Sequence, residues 1–115
     1  MTPLITDDQM AVLRANGQAT RLSDTFDPLP VVKLFTPDAG ATWLLCAVDQ
    51  AEPDLAYGLC DLGLGAPEIG WVSLAEIQAL RGHMNLPVVR DAHFHADRRL
   101  SLYAREARVA GRIMA

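Results

Sequence analysis

Several things are scarce in this chain of 115 residues, and each scarcity excludes something. There are two cysteines, Cys46 and Cys60, each inside an apolar run, with no C-x-x-C pair and no second ligand at zinc spacing. They read as buried free thiols, which excludes a disulfide framework and a structural zinc site. A domain of this length buries roughly two thirds of its unfolded surface, so it needs neither. The longest apolar stretch, Thr42 to Val48, is far short of the roughly 20 residues that span a bilayer, so no membrane association is expected. The opening residues MTPLITDD lack a basic n-region and an apolar h-region, so the expectation is a cytoplasmic protein. There is no G-x-G-x-x-G opening a helix, no G-x-x-x-x-G-K-[ST] loop and no G-x-S-x-G elbow, which removes the nucleotide-loop and serine-hydrolase classes. Thiols in apolar surroundings are poor nucleophiles, so no signature of covalent catalysis is present. Aromatic residues make up only 6%.

Half of the residues are hydrophobic and 21% are charged, the balance of a soluble globular chain. The length fits a single domain over residues 1–115. The net charge of −4 hides an asymmetry. Residues 1–97 are strongly acidic, whereas residues 98–115 carry Arg98, Arg99, Arg105, Arg108 and Arg112 against Glu106 alone. Such a basic segment can meet phosphate, the acidic body of the chain, or an acidic partner.

Thr6 and Gln9 have capping-box spacing, Ile5 and Met10 can staple around it, and Asn16-Gly17 reads as the stop of a first helix. Residues 18–30, ending in Asp27-Pro28-Leu29-Pro30, read as a polar loop. Val31–Thr36 and Thr42–Val48 flank a Pro37–Gly40 turn and predict a hairpin. The second strand is apolar at both parities: Trp43, Leu45 and Ala47 would face one way, and Leu44, Cys46 and Val48 the other. Leu55–Leu62 and Ile69–Val72 predict two more strands around the Gly63–Pro67 turn. Ser73 and Glu76 repeat the capping-box spacing for a helix closed by Gly82. Val88–Ala96 predicts a fifth strand, and Leu100, Tyr103, Ala104, Ala107 and Ala110 recur at helical spacing before Gly111. The predicted class is α+β, a mainly antiparallel sheet of about five strands with three short helices in the order α-β-β-β-β-α-β-α.

The segments PVVKLFTPDAGATWLL, GLCDLGLGAPEIGWVSLAEI, LRGHMNLPVVRDAHF and LSLYAREARVAGRI together resemble the bacterial domain-of-unknown-function family numbered 2958, over nearly the whole chain. The resemblance implies a small cytoplasmic protein of plasmid, phage or integrative-element origin. It brings no catalytic residues to carry over. Some members bear a single-stranded DNA endonuclease label that names no site, and histidines are not part of the family pattern.

Three constellations could carry chemistry. Alternation along the fifth strand would put Asp91, His93, His95 and Asp97 on one face, where His-x-His with a flanking carboxylate can chelate a transition metal and acidify its water. The same alternation also describes a strand with one solvated face. The acidic set Asp49, Glu52, Asp54, Asp61 and Glu68 falls at strand ends, where converging carboxylates could hold magnesium for phosphodiester cleavage; Asp49 to Asp54 is also ordinary turn chemistry. Arg105, Arg108 and Arg112, at helical spacing behind Arg98-Arg99, could follow a phosphate backbone or grip an acidic partner, or be the solvated face of a terminal helix. His83 reads as a surface residue near a helix end. Trp43 and Trp71 read as core. A small ligand held near Gly58–Gly70 is a further option, with no residue naming the ligand.

The sequence thus favours a non-enzymatic binding or accessory protein acting through protein contacts, one version being the inhibition of a host defence system. The alternative is a metal-dependent nuclease or nucleic-acid-processing protein acting on single-stranded DNA, with a divalent metal as cofactor. No cofactor is expected under the first reading.

Overall fold

The computed structural model describes residues 4–22 and 25–115. Helix α1 (Asp7–Leu22) starts at the capping box expected for it: the Gln9 N–H donates to Thr6 Oγ1 and the Thr6 N–H donates to Gln9 Oε1, both at 3.0 Å. Strands β1 (Val32–Phe35), β2 (Thr42–Val48), β3 (Leu55–Asp61) and β4 (Glu68–Ser73) follow as an antiparallel meander. Helix α2 (Leu74–Ala79), the two-residue strand β5 (Val89–Arg90) and helix α3 (Leu100–Ala110) complete the chain. The sheet order is β4-β3-β2-β1-β5, antiparallel throughout, so the predicted α+β class and element order hold.

Both faces of the sheet are covered, as the double apolar parity of β2 requires. Trp43 and Leu45 join Leu13 of α1, Val32, Leu34 and Ile77 of α2 in one buried cluster. Leu44 and Cys46 join Leu59 and the buried face of α3 (Leu100, Tyr103, Ala104 and Ala107) in the other. Val48 departs from the simple alternation, packing with Trp43 and Leu45. The reason is a bulge: Leu45 pairs with Gly58 but Ala47 with Tyr57, so one residue is inserted and the parity beyond it flips.

That bulge also explains why α1 does not stop at Asn16-Gly17. The Asn16 side chain donates to the Cys46 carbonyl at 2.8 Å, taking up a group the disturbed ladder leaves over. Gly17 lies so close to β2 that an added Cβ would sit 2.0 Å from the Val48 carbonyl oxygen. The glycine serves a close approach of helix to strand, not a left-handed cap, and the helix continues through residues expected to be loop. Ser23 and Asp24 of that expected loop lie outside the described residues.

Two further boundaries differ from expectation. The fifth strand ends at Arg90 rather than Ala96, because the Asp91 side chain accepts the His93 N–H at 2.9 Å and its carbonyl accepts the Phe94 N–H, which folds the chain into a turn. Helix α2 ends at Leu80 without a left-handed cap, and Gly82 lies in the following turn against the Asp38 carboxylate. Asp38 Oδ2 holds that turn by accepting the Met84 N–H at 2.6 Å. At its start, the Ser73 hydroxyl accepts the Glu76 N–H at 3.2 Å, and Asp54 takes the second capping part by accepting the Ala75 N–H at 2.9 Å.

Candidate functional site

The strand that was to align Asp91, His93, His95 and Asp97 is not formed, and these residues sit in turns and irregular chain. Asp91 caps its own turn and pairs with Lys33 at 3.6 Å. His93 and His95 are exposed. Asp97 faces α3: it accepts the Tyr103 hydroxyl at 3.0 Å and Arg98 Nε at 2.7 Å. Those donors, Arg98 first and Tyr103 second, hold its carboxyl well below the usual range, at about 2. Among the described residues, no group of three or more His, Cys, Asp or Glu is placed to hold a metal ion.

The acidic rim divides in the same way. Asp49 and Asp54 flank one end of the β2–β3 pair and Asp61 lies at the other, about 20 Å away along a strand of this length. Asp49 accepts the N–H groups of Ala51 and Glu52. Asp54 accepts the Ser73 hydroxyl at 2.6 Å and the Ala75 N–H, which lower its pKa. Asp61, only 3% exposed, accepts the N–H groups of Gly63 at 2.8 Å and Ile113 at 3.0 Å, tying the β3–β4 turn to the C-terminal segment. Gly63 and Gly65 of that turn have φ near +80°, which glycine adopts without strain. Glu68 is exposed at the start of β4, on the strand neighbouring Asp61.

The arginines do not form one stripe. Arg98 is chelated by Asp97 and Glu106 and lies over the Tyr103 ring, 5.0 Å from its centroid. Arg99 stands at the N-cap of α3, where Asp27 supplies the missing cap by accepting the Ser101 N–H at 3.1 Å and the Ser101 hydroxyl. Arg105 and Arg108 are exposed on α3, whereas Gly111 ends the helix in the left-handed region and leaves Arg112 beyond it. His83 is exposed in the turn after α2. Cys46 is buried and Cys60 half-buried; burial first, and the charge of Asp27 second, pushes the Cys46 thiol up to about 12.

What the structure brings together instead is apolar. Strand β4 is an edge of the sheet. Trp71, read from sequence as core, is 50% exposed there, its ring 5.1 Å from that of Tyr57, in contrast to Trp43 at 2%. Leu62 and Leu64 of the preceding turn are 57% and 82% exposed. These side chains border a cleft of about 330 Å³ running beside Ile69 and Gly70. A signal was available in the order of elements: the last strand of a meander, followed directly by a capped helix, is the one whose outer side can go unpaired. The two tryptophans differ by strand position, which periodicity does not read.

A family model described as Protein of unknown function (DUF2958) matches residues 4–114. The chain belongs to that family. The match takes in the whole DUF2958 sheet, all three helices and the β4 edge with its exposed tryptophan. No curated protein and no solved structure matches the chain. No helix among the described residues is long and apolar enough to cross a membrane.

Proposed function

We propose that this DUF2958 protein is a non-enzymatic binding domain that acts through protein contacts. The observation that carries this reading is the exposure of Trp71, Leu62 and Leu64 along one sheet edge. A half-exposed tryptophan with two exposed leucines is the composition of a protein-contact core, where aromatic anchors supply most of the binding energy. The carboxylates that a metal nuclease would need support it by their occupation: Asp49, Asp54, Asp61 and Asp91 each accept backbone N–H groups of turns or helix starts. The plasmid, phage or integrative-element setting implied by the resemblance gives the reading a concrete version, in which the protein occupies a host defence protein and blocks it.

The test has two arms. A photo-cross-linking residue at Leu64 is expected to give discrete protein adducts in the source cells, and the same residue at exposed Gln18 of α1 none. Purified protein incubated with single- and double-stranded DNA and RNA, in EDTA or with magnesium, manganese or zinc, is expected to leave every strand intact. Metal-dependent cleavage that copurifies with the protein would replace this reading with the nuclease one.

A further inference from the structure

We infer that β4 is a docking rail for an extended, Lys/Arg-bearing segment of a partner protein, which adds to the sheet as a sixth strand. This rests on the protein-contact reading above and gives it a geometry and a charge. The two edges of the sheet are built differently. Strand β5 is two residues long, with Pro87 just before it and the Asp91 turn just after, and such an edge offers little to pair with. Strand β4 has six residues, each paired with β3 from Leu55↔Ser73 to Cys60↔Glu68 without a register shift. Pro67 and the exposed Glu68 stand only at its start, and the five residues from Ile69 to Ser73 carry no charge, no proline and no bulge, so most of its length lacks the usual devices that blunt an edge. In an antiparallel ladder alternate residues turn their N–H and C=O groups away from the neighbouring strand, and another extended backbone is the ligand that matches such a row.

Charge selects which backbone. Between residues 34 and 80 there are seven Asp and Glu and no Lys or Arg. Glu68 is exposed at one end of β4; at the other, Asp54 accepts the Ser73 hydroxyl and Glu76 is exposed on α2. Two copies joined edge to edge would therefore set acidic surface against acidic surface. The chain's own arginine-rich segment cannot serve as the added strand, because Leu100, Tyr103, Ala104 and Ala107 hold it as a helix on the sheet. The fitting occupant has basic residues at both ends, apolar residues between them to cover Trp71, Leu62 and Leu64, and a free main chain.

The experiment uses the full chain and a fluorescein-labelled ten-residue peptide with lysines at both ends and alternating valine and threonine between them. Binding is read by anisotropy and its location by backbone amide shifts. The expected result is binding that perturbs the amides of residues 68–73, falls at least about tenfold when the terminal lysines become glutamates, and falls about tenfold when alternate peptide nitrogens are methylated. Trp71→Ala is expected to weaken binding by about thirtyfold while the protein stays folded, with only a small shift in its unfolding midpoint. The proposal is overturned by no binding, by equal binding of the lysine and glutamate peptides, by equal binding of the methylated peptide, or by amide shifts confined to other elements. It is equally overturned by sedimentation showing a dimer with protected β4 amides, which would make a second copy the occupant. Position-specific cross-linking at Leu64 can survive all of these results, so the failure of strand addition is separable from failure of the protein-contact reading.

Discussion

An alanine at position 17 would carry its Cβ to 2.0 Å from the Val48 carbonyl oxygen, a backbone atom that cannot swing aside. Gly17→Ala is therefore expected to destabilise the fold by about 3 kcal/mol despite the better helix propensity of alanine, as measured by urea unfolding. A gain in stability would mean that α1 and β2 are not in contact there. Asp97 makes a second residue-scale case. Its folded pKa of about 2 lies below the ordinary carboxylate value, so between the two the unfolded chain binds more protons than the folded one. The stability that Asp97 contributes is present above about pH 4 and is lost as pH falls through the folded value. Asp97→Asn is expected to flatten the acid limb of the stability profile between about pH 5 and pH 2, since its amide does not titrate in that range. An unchanged acid limb would show that the Arg98 and Tyr103 contacts do not persist in solution. Asp97 and the histidines beside it were visible in the sequence as polar residues at alternate positions. That the Asp91 side chain would bend the chain into a turn was not, because an aspartate can occupy a strand rim or start a turn with equal local ease.

Helix α3 shows what happens at the scale of an element. Its buried residues recur at the spacing that predicts a helix, but its first turn has no capping side chain of its own. Asp27, from the segment after α1, accepts the N–H and hydroxyl of Ser101, and the Pro28 carbonyl accepts the Leu100 N–H at 3.0 Å. Asp27→Ala is expected to cost about 1 kcal/mol and to speed amide exchange in the first turn of α3. Glu106→Ala, which removes an exposed partner of Arg98, is expected to cost less than half as much. Comparable losses for the two variants would argue against capping from a distance. Local signals located α1, the meander and α3, because capping boxes, turn residues and periodicity act within a few residues. They misplaced the end of α1 and the length of β5, because those ends are decided by the bulge at Cys46 and by a side chain that caps a turn.

For the whole molecule, the arrangement of helices on both faces of one sheet makes the two tryptophans physically different. Trp43, on the central strand β2, is packed beneath α1, whereas Trp71 stands on the β4 edge. Trp43→Ala is expected to cost about 4 kcal/mol, and Trp71→Ala less than about 1 kcal/mol, in urea unfolding. Equal losses would mean that β4 is covered in solution. The same arrangement separates Asp49 and Asp54 from Asp61 by the length of a strand and leaves the acidic rim without a meeting point.

The amino-acid sequence by itself determined the class, the element order and a central strand covered on both faces, since these follow from hydrophobic parity, turn chemistry and helix caps that operate over short separations. The tertiary structure alone decided which edge of the sheet is long enough to take another strand, which carboxylates act as caps and which tryptophan faces water. Those outcomes depend on contacts between residues far apart in the chain, such as Asp27 with Ser101, Asn16 with Cys46 and Asp61 with Ile113. No local pattern of residue types encodes such pairings, because each partner would look the same in sequence if it faced solvent.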